Sequence, residues 1–261
     1  MLQNRRYGYL HAENDGGMVQ MVKGQNIAGY PIGIIYIDDV YYPMMPGNVV
    51  NAYTYDFPVR MKAVDDIDCQ ELFHMDEHVY ERVITACQKL RQEGVRAISG
   101  ACGFFGNYQK AVAAQMDIPV ALSSLVQIPW VAQLLKPSQE IGIITADASS
   151  ITDHLLDNCG ITPELKKRLV IKDALQTKEF NCVVKNRGMW DNTVARQEIV
   201  SLAKQIVSEF PTTGAIVLEC SDMPPYAYCV QEAVQLPVFD FITLIKWLHS
   251  SVCQMPYDGF I

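Results

Sequence analysis

Two cysteines occupy matching places in this chain, and no other pair of residues is so well spaced for chemistry. Cys102 follows the apolar run "AISGA" and Cys220 follows "AIVLE". The two segments align without a gap at an offset of 215 − 97 = 118: Ala97 meets Ala215, Ile98 meets Ile216, Cys102 meets Cys220, Tyr108 meets Tyr226, Val112 meets Val230 and Pro119 meets Pro237. A shared strand–helix–strand pattern yields some apolar matches by itself. It does not require a thiol twice at the strand-to-helix junction. A free thiol has a pKa of about 8.5, and a helix N-terminus lowers it into the range of roughly 3.5–7.5. Two such thiols facing one cleft suit a carbon acid. One sulfur, as thiolate, removes a proton; the other, as thiol, returns one to the opposite face and inverts the carbon. The backbone N–H groups after Cys102 and Cys220 are candidates for holding a substrate carboxylate or enolate, each worth about 3–4 kcal/mol. Gly103 lets that backbone come close. A lone buried cysteine is ordinarily a packing residue, so the other six carry no functional reading.

The elements around these thiols alternate in type. "YPIGIIYIDD" (30–39) reads as a buried parallel strand and "NAYTYDFPVRM" as a more exposed one that Pro58 assigns to an edge. "DEHVYERVITACQKLRQEG" is an amphipathic helix with Val79, Val83, Ala86 and Leu90 on one face. "VRAISGA" and "DIPVALSS" are strands, and "SLVQIPWVAQLL" is a helix bent near Pro129. The pattern then restarts, because "EIGIITAD" (140–147) echoes "PIGIIYID". Alternation of this kind makes mainly parallel sheets flanked by helices. The expected fold is therefore α/β with two pseudo-symmetric lobes, 1–124 and 125–240, the first completed by a closing helix in 241–261. Ligands in such sheets bind outside the carboxyl ends of the strands, which puts both thiols in the cleft between the lobes.

Composition narrows the partners. Of 261 residues 49% are hydrophobic and 19% charged, with a net charge of −8, so basic clusters for nucleic acid are absent. No apolar run approaches the ~18 residues of a membrane helix, and the polar start "YGYLHAENDGG" reads as no signal peptide; a cytoplasmic protein with reduced thiols is expected. Among the eight cysteines there is no C-x-x-C, which argues against structural zinc. His74 and His78 have the i, i+4 spacing of two metal ligands, without an evident third. The segment from Lys178 to Asp191 reads as a solvated loop or as a cover for the cleft, with Arg187 meeting a carboxylate. "VYYPMMPGNVVNAYTYDF" suits a homodimer contact or the packing of its own lobe equally well.

From "IGIIYIDD" to the final helix the chain resembles the aspartate/glutamate racemase superfamily, most specifically in "SGACGFF" and "IVLECSDMPP". The resemblance implies racemisation or epimerisation of a small carboxylate-bearing substrate, such as an amino acid or its derivative, with no pyridoxal phosphate, flavin or metal. It makes Cys102 and Cys220 the acid/base pair and turns Thr145 toward substrate. It also places an acidic helper at Asp38 or Asp39, either of which serves equally well as a cap. Gly103 and Phe104 stand where glutamate and aspartate racemases commonly have Asn-Thr, and Phe104 favours a less polar substrate. Ser221 and Asp222 replace the common Thr and His or Glu. Asp222 either orients Cys220, at the expense of raising its pKa, or caps the next helix. Ser123 and Ser124 end a strand near the cleft as substrate contacts or as ordinary turn formers. The expected activity is racemisation by two thiols. The alternatives are a related decarboxylase, a maleate-type isomerase or a hydantoin racemase, or a two-lobed binding protein without turnover.

Overall fold

The computed structural model describes residues 25–68, 71–72, 77–255, 257 and 259–261. The reading of the polar amino-terminal segment and that of His74 as a metal ligand fall outside the described residues; His78 faces Glu71 across 3.2 Å.

Among the described residues, eight strands form two four-stranded sheets. The first contains β1 (Ile32–Tyr36), β2 (Val59–Ala63), β3 (Ala97–Gly100) and β4 (Val120–Ala121). The second contains β5 (Ile141–Thr145), β6 (Leu169–Asp173), β7 (Ala215–Leu218) and β8 (Val238–Phe239). Their orders are β2-β1-β3-β4 and β6-β5-β7-β8, and every pairing is parallel. The two lobes are thus one design used twice. Ile32 pairs with Val59 and Ala97, as Ile141 does with Leu169 and Ala215. The 118-residue offset survives into the register, because Ile98 pairs with Val120 where Ile216 pairs with Val238. β5 is buried along its whole length, as expected of a central parallel strand rich in isoleucine.

Helix α1 (Glu77–Gln92) buries Val79, Val83, Ala86, Cys87 and Leu90 against the first sheet. Burial pushes the Cys87 thiol up to about 12, in keeping with a packing residue. Helices α2 (Gln109–Gln115) and α3 (Ile128–Leu134) follow in the first half. In the second half come α4 (Asp153–Asn158), α5 (Pro163–Lys166), α6 (Cys182–Lys185), α7 (Asn192–Glu209) and α8 (Ala227–Val234). The last helix, α9 (Phe241–Val252), opens on a capping box at Asp240 and Thr243 and packs Phe241, Leu244 and Ile245 on Ile32, Ile34 and Ala97 of the first sheet. One apolar cluster holds Ile35, Ile98 and Phe105 together with Ile141, Leu155 and Val217, so the two lobes share a core.

Local details depart from expectation where proline decides them. "SLVQIPWVAQLL" is a 3-10 turn over Ser124–Gln127 followed by α3, and Pro129 sits in the first turn of that helix. No intrahelical bond is lost there, so the helix needs no bend. β2 begins only after Pro58, later than "NAYTYDFPVRM" suggests, and lies at the sheet edge as that proline led one to expect. Among the described residues no helix is long and apolar enough to cross a membrane.

Candidate active site

β3 and β7 end at Gly100 and Leu218, and the chain turns from each into a cleft. Cys102, Gly103, Phe104, Glu219, Cys220, Ser221 and Asp222 line it, with Tyr36 at the end of β1 and Tyr42 and Asn48 from the segment after it. Cys102 is half-buried and Cys220 only 8% exposed. The two sulfurs sense each other, since charge on Cys102 raises the pKa of Cys220. Burial is the larger influence on Cys220, followed by the carboxylates of Asp222 and Glu219, and together they hold its thiol well above the ordinary range. This corrects the expectation that a strand-end thiol before a helix becomes a ready thiolate. Desolvation and two neighbouring acids outweigh the helix N-terminus at Cys220.

Asp222 is the hub of the hydrogen bonds. Its Oδ2 accepts from Cys220 Sγ at 3.4 Å, Tyr42 Oη at 3.2 Å and Ser221 Oγ at 3.5 Å, while Oδ1 accepts from Asn48 Nδ2. Burial pushes its carboxyl up to about 6, against the pull of those four donors. The cap of the next 3-10 turn is Met223, so of the two sequence readings the carboxylate facing Cys220 is the one the geometry realises. Tyr42 and Asn48 belong to the first lobe and Asp222 to the second, so the hub exists only with the lobes together. Ser221 reinforces the joint: its Oγ donates to the Ala101 carbonyl at 3.0 Å, and its own carbonyl accepts from the Val49 amide at 3.3 Å.

Glu219 was not singled out by the sequence reading. It is fully buried at the end of β7, and its Oε2 accepts from Thr145 Oγ1 at 2.8 Å. Burial, aided by the charges of Asp147 and Asp222, pushes it up to about 7. A Cβ on Gly103 would lie 1.6 Å from Glu219 Oε1, which gives Gly103 a steric reason for being glycine. The signal was present in "IVLEC": a carboxylate inside an apolar strand run demands a partner or a function.

The remaining candidates fall outside the lining. Ser123 Oγ accepts from the Leu125 amide as a turn cap, and Ser124 Oγ donates to the carbonyls of Leu218 and Glu219, bracing β7. Thr145 is fully buried behind Glu219. Asp38 and Asp39 are exposed. Arg187 donates to the carbonyls of Lys178 and Glu179 and to Asn181 Oδ1, within its own segment. That segment does cover the cleft, through Val183 and Val184. It is fastened to the first lobe by the Gly188 amide on the Tyr41 carbonyl, by Asn186 Oδ1 on the Tyr41 amide, and by Trp190 stacked on Tyr42. Among the described lining residues none is Lys, Arg or His.

No family model matches the chain. Dimethylsulfoniopropionate lyase 7 of Emiliania huxleyi (strain CCMP1516) is 32% identical over 244 residues, a match covering 89% of this chain and 70% of that protein. The chain belongs to the dimethylsulfoniopropionate lyase family. Lyase 3 of the same organism is 30% identical, and there the chain spans 63% of its relative's length. Solved structures with this fold include allantoin racemase from Klebsiella pneumoniae, with a TM-score of 0.61 at 16% identity over 85% of this chain and 87% of that one. Unliganded arylmalonate decarboxylase follows at 0.56 and 14%, over 88% and 94%. Aspartate racemase from Picrophilus torridus gives 0.51 and 17%, over 86% and 94%. This chain thus shares the two-lobed fold of those two racemases and that decarboxylase.

Proposed function

We propose that this chain is a lyase that cleaves dimethylsulfoniopropionate, or a close β-sulfonio carboxylate, with Cys102 as the base. One observation carries the reading within this family: Cys102 and Cys220 converge on a cleft that bears two carboxyl groups and, among its described lining residues, no cationic side chain. A sulfonium substrate brings the positive charge that this lining lacks. Aspartate or glutamate would bring a second carboxylate toward Asp222, a like-charge encounter. Tyr36, Tyr42 and Phe104 add aromatic faces to the lining, and such faces attract a methylated cation.

The proton lost is the one on carbon 2, beside the substrate carboxylate. Cys102, as thiolate, takes it and becomes a thiol. The C–H electron pair becomes the carbon 2–carbon 3 double bond, and the carbon 3–sulfur bond breaks with its electrons on sulfur. The products are acrylate and neutral dimethyl sulfide, and Cys102 then returns its proton to water. The leaving sulfide needs no proton, so one basic thiol suffices. Cys220, held as a thiol with its hydrogen on Asp222, stays neutral and places no second negative sulfur beside the developing charge.

The opposed thiols also favour a second reading, inversion of a carbon acid. A racemase runs in both directions with its two sulfurs exchanging roles, and the resistance of Cys220 to ionisation makes the pair unequal. The deciding experiment incubates the protein in heavy water with dimethylsulfoniopropionate and, separately, with amino acids, hydantoins, malonates and maleate. Dimethyl sulfide is followed by gas chromatography and stereochemistry by chiral chromatography. Release of dimethyl sulfide and acrylate is expected, with a loss of roughly 10²–10⁴-fold in Cys102→Ser. Inversion without sulfide release would replace the lyase reading with the racemase one.

A further inference from the structure

We propose that Glu219, carried as the neutral acid, donates a hydrogen bond from Oε1 to the carboxylate of the bound substrate. The proposal rests on the reading that the cleft between Cys102 and Cys220 takes a carboxylate-bearing molecule, and it names the group that receives that carboxylate.

The two oxygens of Glu219 are unequal. Oε2 accepts from Thr145 Oγ1 at 2.8 Å, and a backbone hydrogen bond from Ala146 also steadies the carboxyl. Oε1 is buried and has no hydrogen-bond partner. A buried polar atom left in this state is rare and calls for an explanation. When the carboxyl is neutral, its proton belongs on Oε1, because Oε2 is already receiving a donor. Oε1 lies against Gly103, next in the chain to Cys102, while Glu219 itself is next to Cys220. The orphan donor therefore sits between the two sulfur-bearing turns, in a lining with no Lys, Arg or His among its described residues. A neutral acid is the group that can hold a carboxylate there without placing a charge in the interior. As carbon 2 loses its proton, negative charge spreads onto that carboxylate, and a fixed donor becomes more valuable.

The titratable groups around Glu219 are Asp147 and Asp222, which oppose its ionisation, and the thiols of Cys159, Cys220 and Cys102. Cys159 is pushed up to about 12 and Cys220 well above its ordinary value, so both stay protonated near neutrality. Glu219 itself is pushed up to about 7. Donation is present below that pH and fades above it.

Propionate, a carboxylate that cannot eliminate, is the probe. Its binding is measured by calorimetry near pH 6 and near pH 8.5 on the full chain carrying Cys102→Ser, which removes that thiol's titration. Affinity should fall at least ~10-fold more between the two pH values than it does with Glu219→Gln added, because the amide keeps a donor at this place and does not titrate. The smaller decline left in the Gln variant belongs to Asp222. Glu219→Leu should bind at least ~10-fold more weakly at the lower pH. A ligand-free readout accompanies these: the infrared difference between wild type and Glu219→Gln near pH 6 should contain the C=O stretch of a protonated carboxyl. Absence of that stretch overturns the proposal. So does absence of propionate binding, an equal pH dependence with and without Glu219→Gln, or a Gln variant as weak as the Leu variant. A protein that binds propionate as expected but releases no dimethyl sulfide would overturn the lyase reading and leave the assignment of Glu219 standing.

Discussion

Cys220 Sγ lies 3.4 Å from Asp222 Oδ2, and neither residue is more than 8% exposed. A thiol so placed keeps its proton, because ionising it would put two negative charges side by side in a dry site. In a Cys102→Ser background Cys220 should therefore be nearly inert to iodoacetamide at neutral pH. Asp222→Asn removes the opposing charge, so its alkylation profile should move to lower pH and stay above neutrality, since burial remains the larger cause. Peptide mapping separates Cys220 from the half-buried Cys229 and Cys253. A profile that ignores the Asn substitution would mean that the pair is not coupled.

Tyr42 and Asn48 reach Asp222 from the other lobe, and both lower its pKa. Removing either donor lets the carboxyl titrate higher than about 6, so the acid limb of kcat/KM should move toward neutral pH in Tyr42→Phe and in Asn48→Ala. Each should also cost about 1–2 kcal/mol in urea unfolding, more for the buried Asn48. An acid limb that stays in place while stability falls would assign these residues to the joint between lobes alone.

The sequence was legible where chemistry and periodicity sit close together in the chain. The strands around Cys102 and Cys220 carry their own signal, and the 118-residue offset that pairs the thiols is the offset that relates β4 to β8 in register. What stayed hidden depends on partners distant in the chain. Ser124 reads as a strand-end hydroxyl, but its acceptors at Leu218 and Glu219 lie 94 and 95 residues away. Thr145 turns toward a carboxylate 74 residues on, and no local pattern announces that meeting. Asp222 has the same sequence signature as a cap or as the partner of a thiol. Only the approach of Tyr42 and Asn48, 180 and 174 residues upstream, separates the two. The segment "VYYPMMPGNVV" supplies those donors, and its aromatic composition alone spoke equally for a dimer contact.

Gly103 and Glu219 form the tightest fit in the site. The backbone of Gly103 is not left-handed, so its need for glycine is steric: a methyl there would sit 1.6 Å from Oε1. Gly103→Ala must push the Glu219 carboxyl off Thr145 or separate the two turns, at a cost of about 1–3 kcal/mol. If that clash is the cause, Glu219→Ala should relieve it, and the double variant should be more stable than the sum of the singles by ~1 kcal/mol or more. Additive losses, measured by denaturant unfolding, would place the strain elsewhere.

Glu219 also ties folding to pH. Its ordinary value of 4.5 becomes about 7 in the folded protein, so the folded state holds this proton more tightly than the unfolded chain does. Below about pH 4.5 both states are protonated and the contribution is complete. As pH rises toward 7 the unfolded chain ionises while the folded one cannot, and stability falls; beyond the folded value the loss is roughly 3 kcal/mol. Glu219→Gln has no proton to lose. Its stability relative to wild type should therefore climb by about that amount between pH 4.5 and 8, read from urea midpoints at each pH. Asp222 titrates in the same sense in both proteins and largely cancels from the difference. A difference that stays level across this range would mean that Glu219 ionises as an ordinary carboxylate and that the protein carries its charge in the cleft.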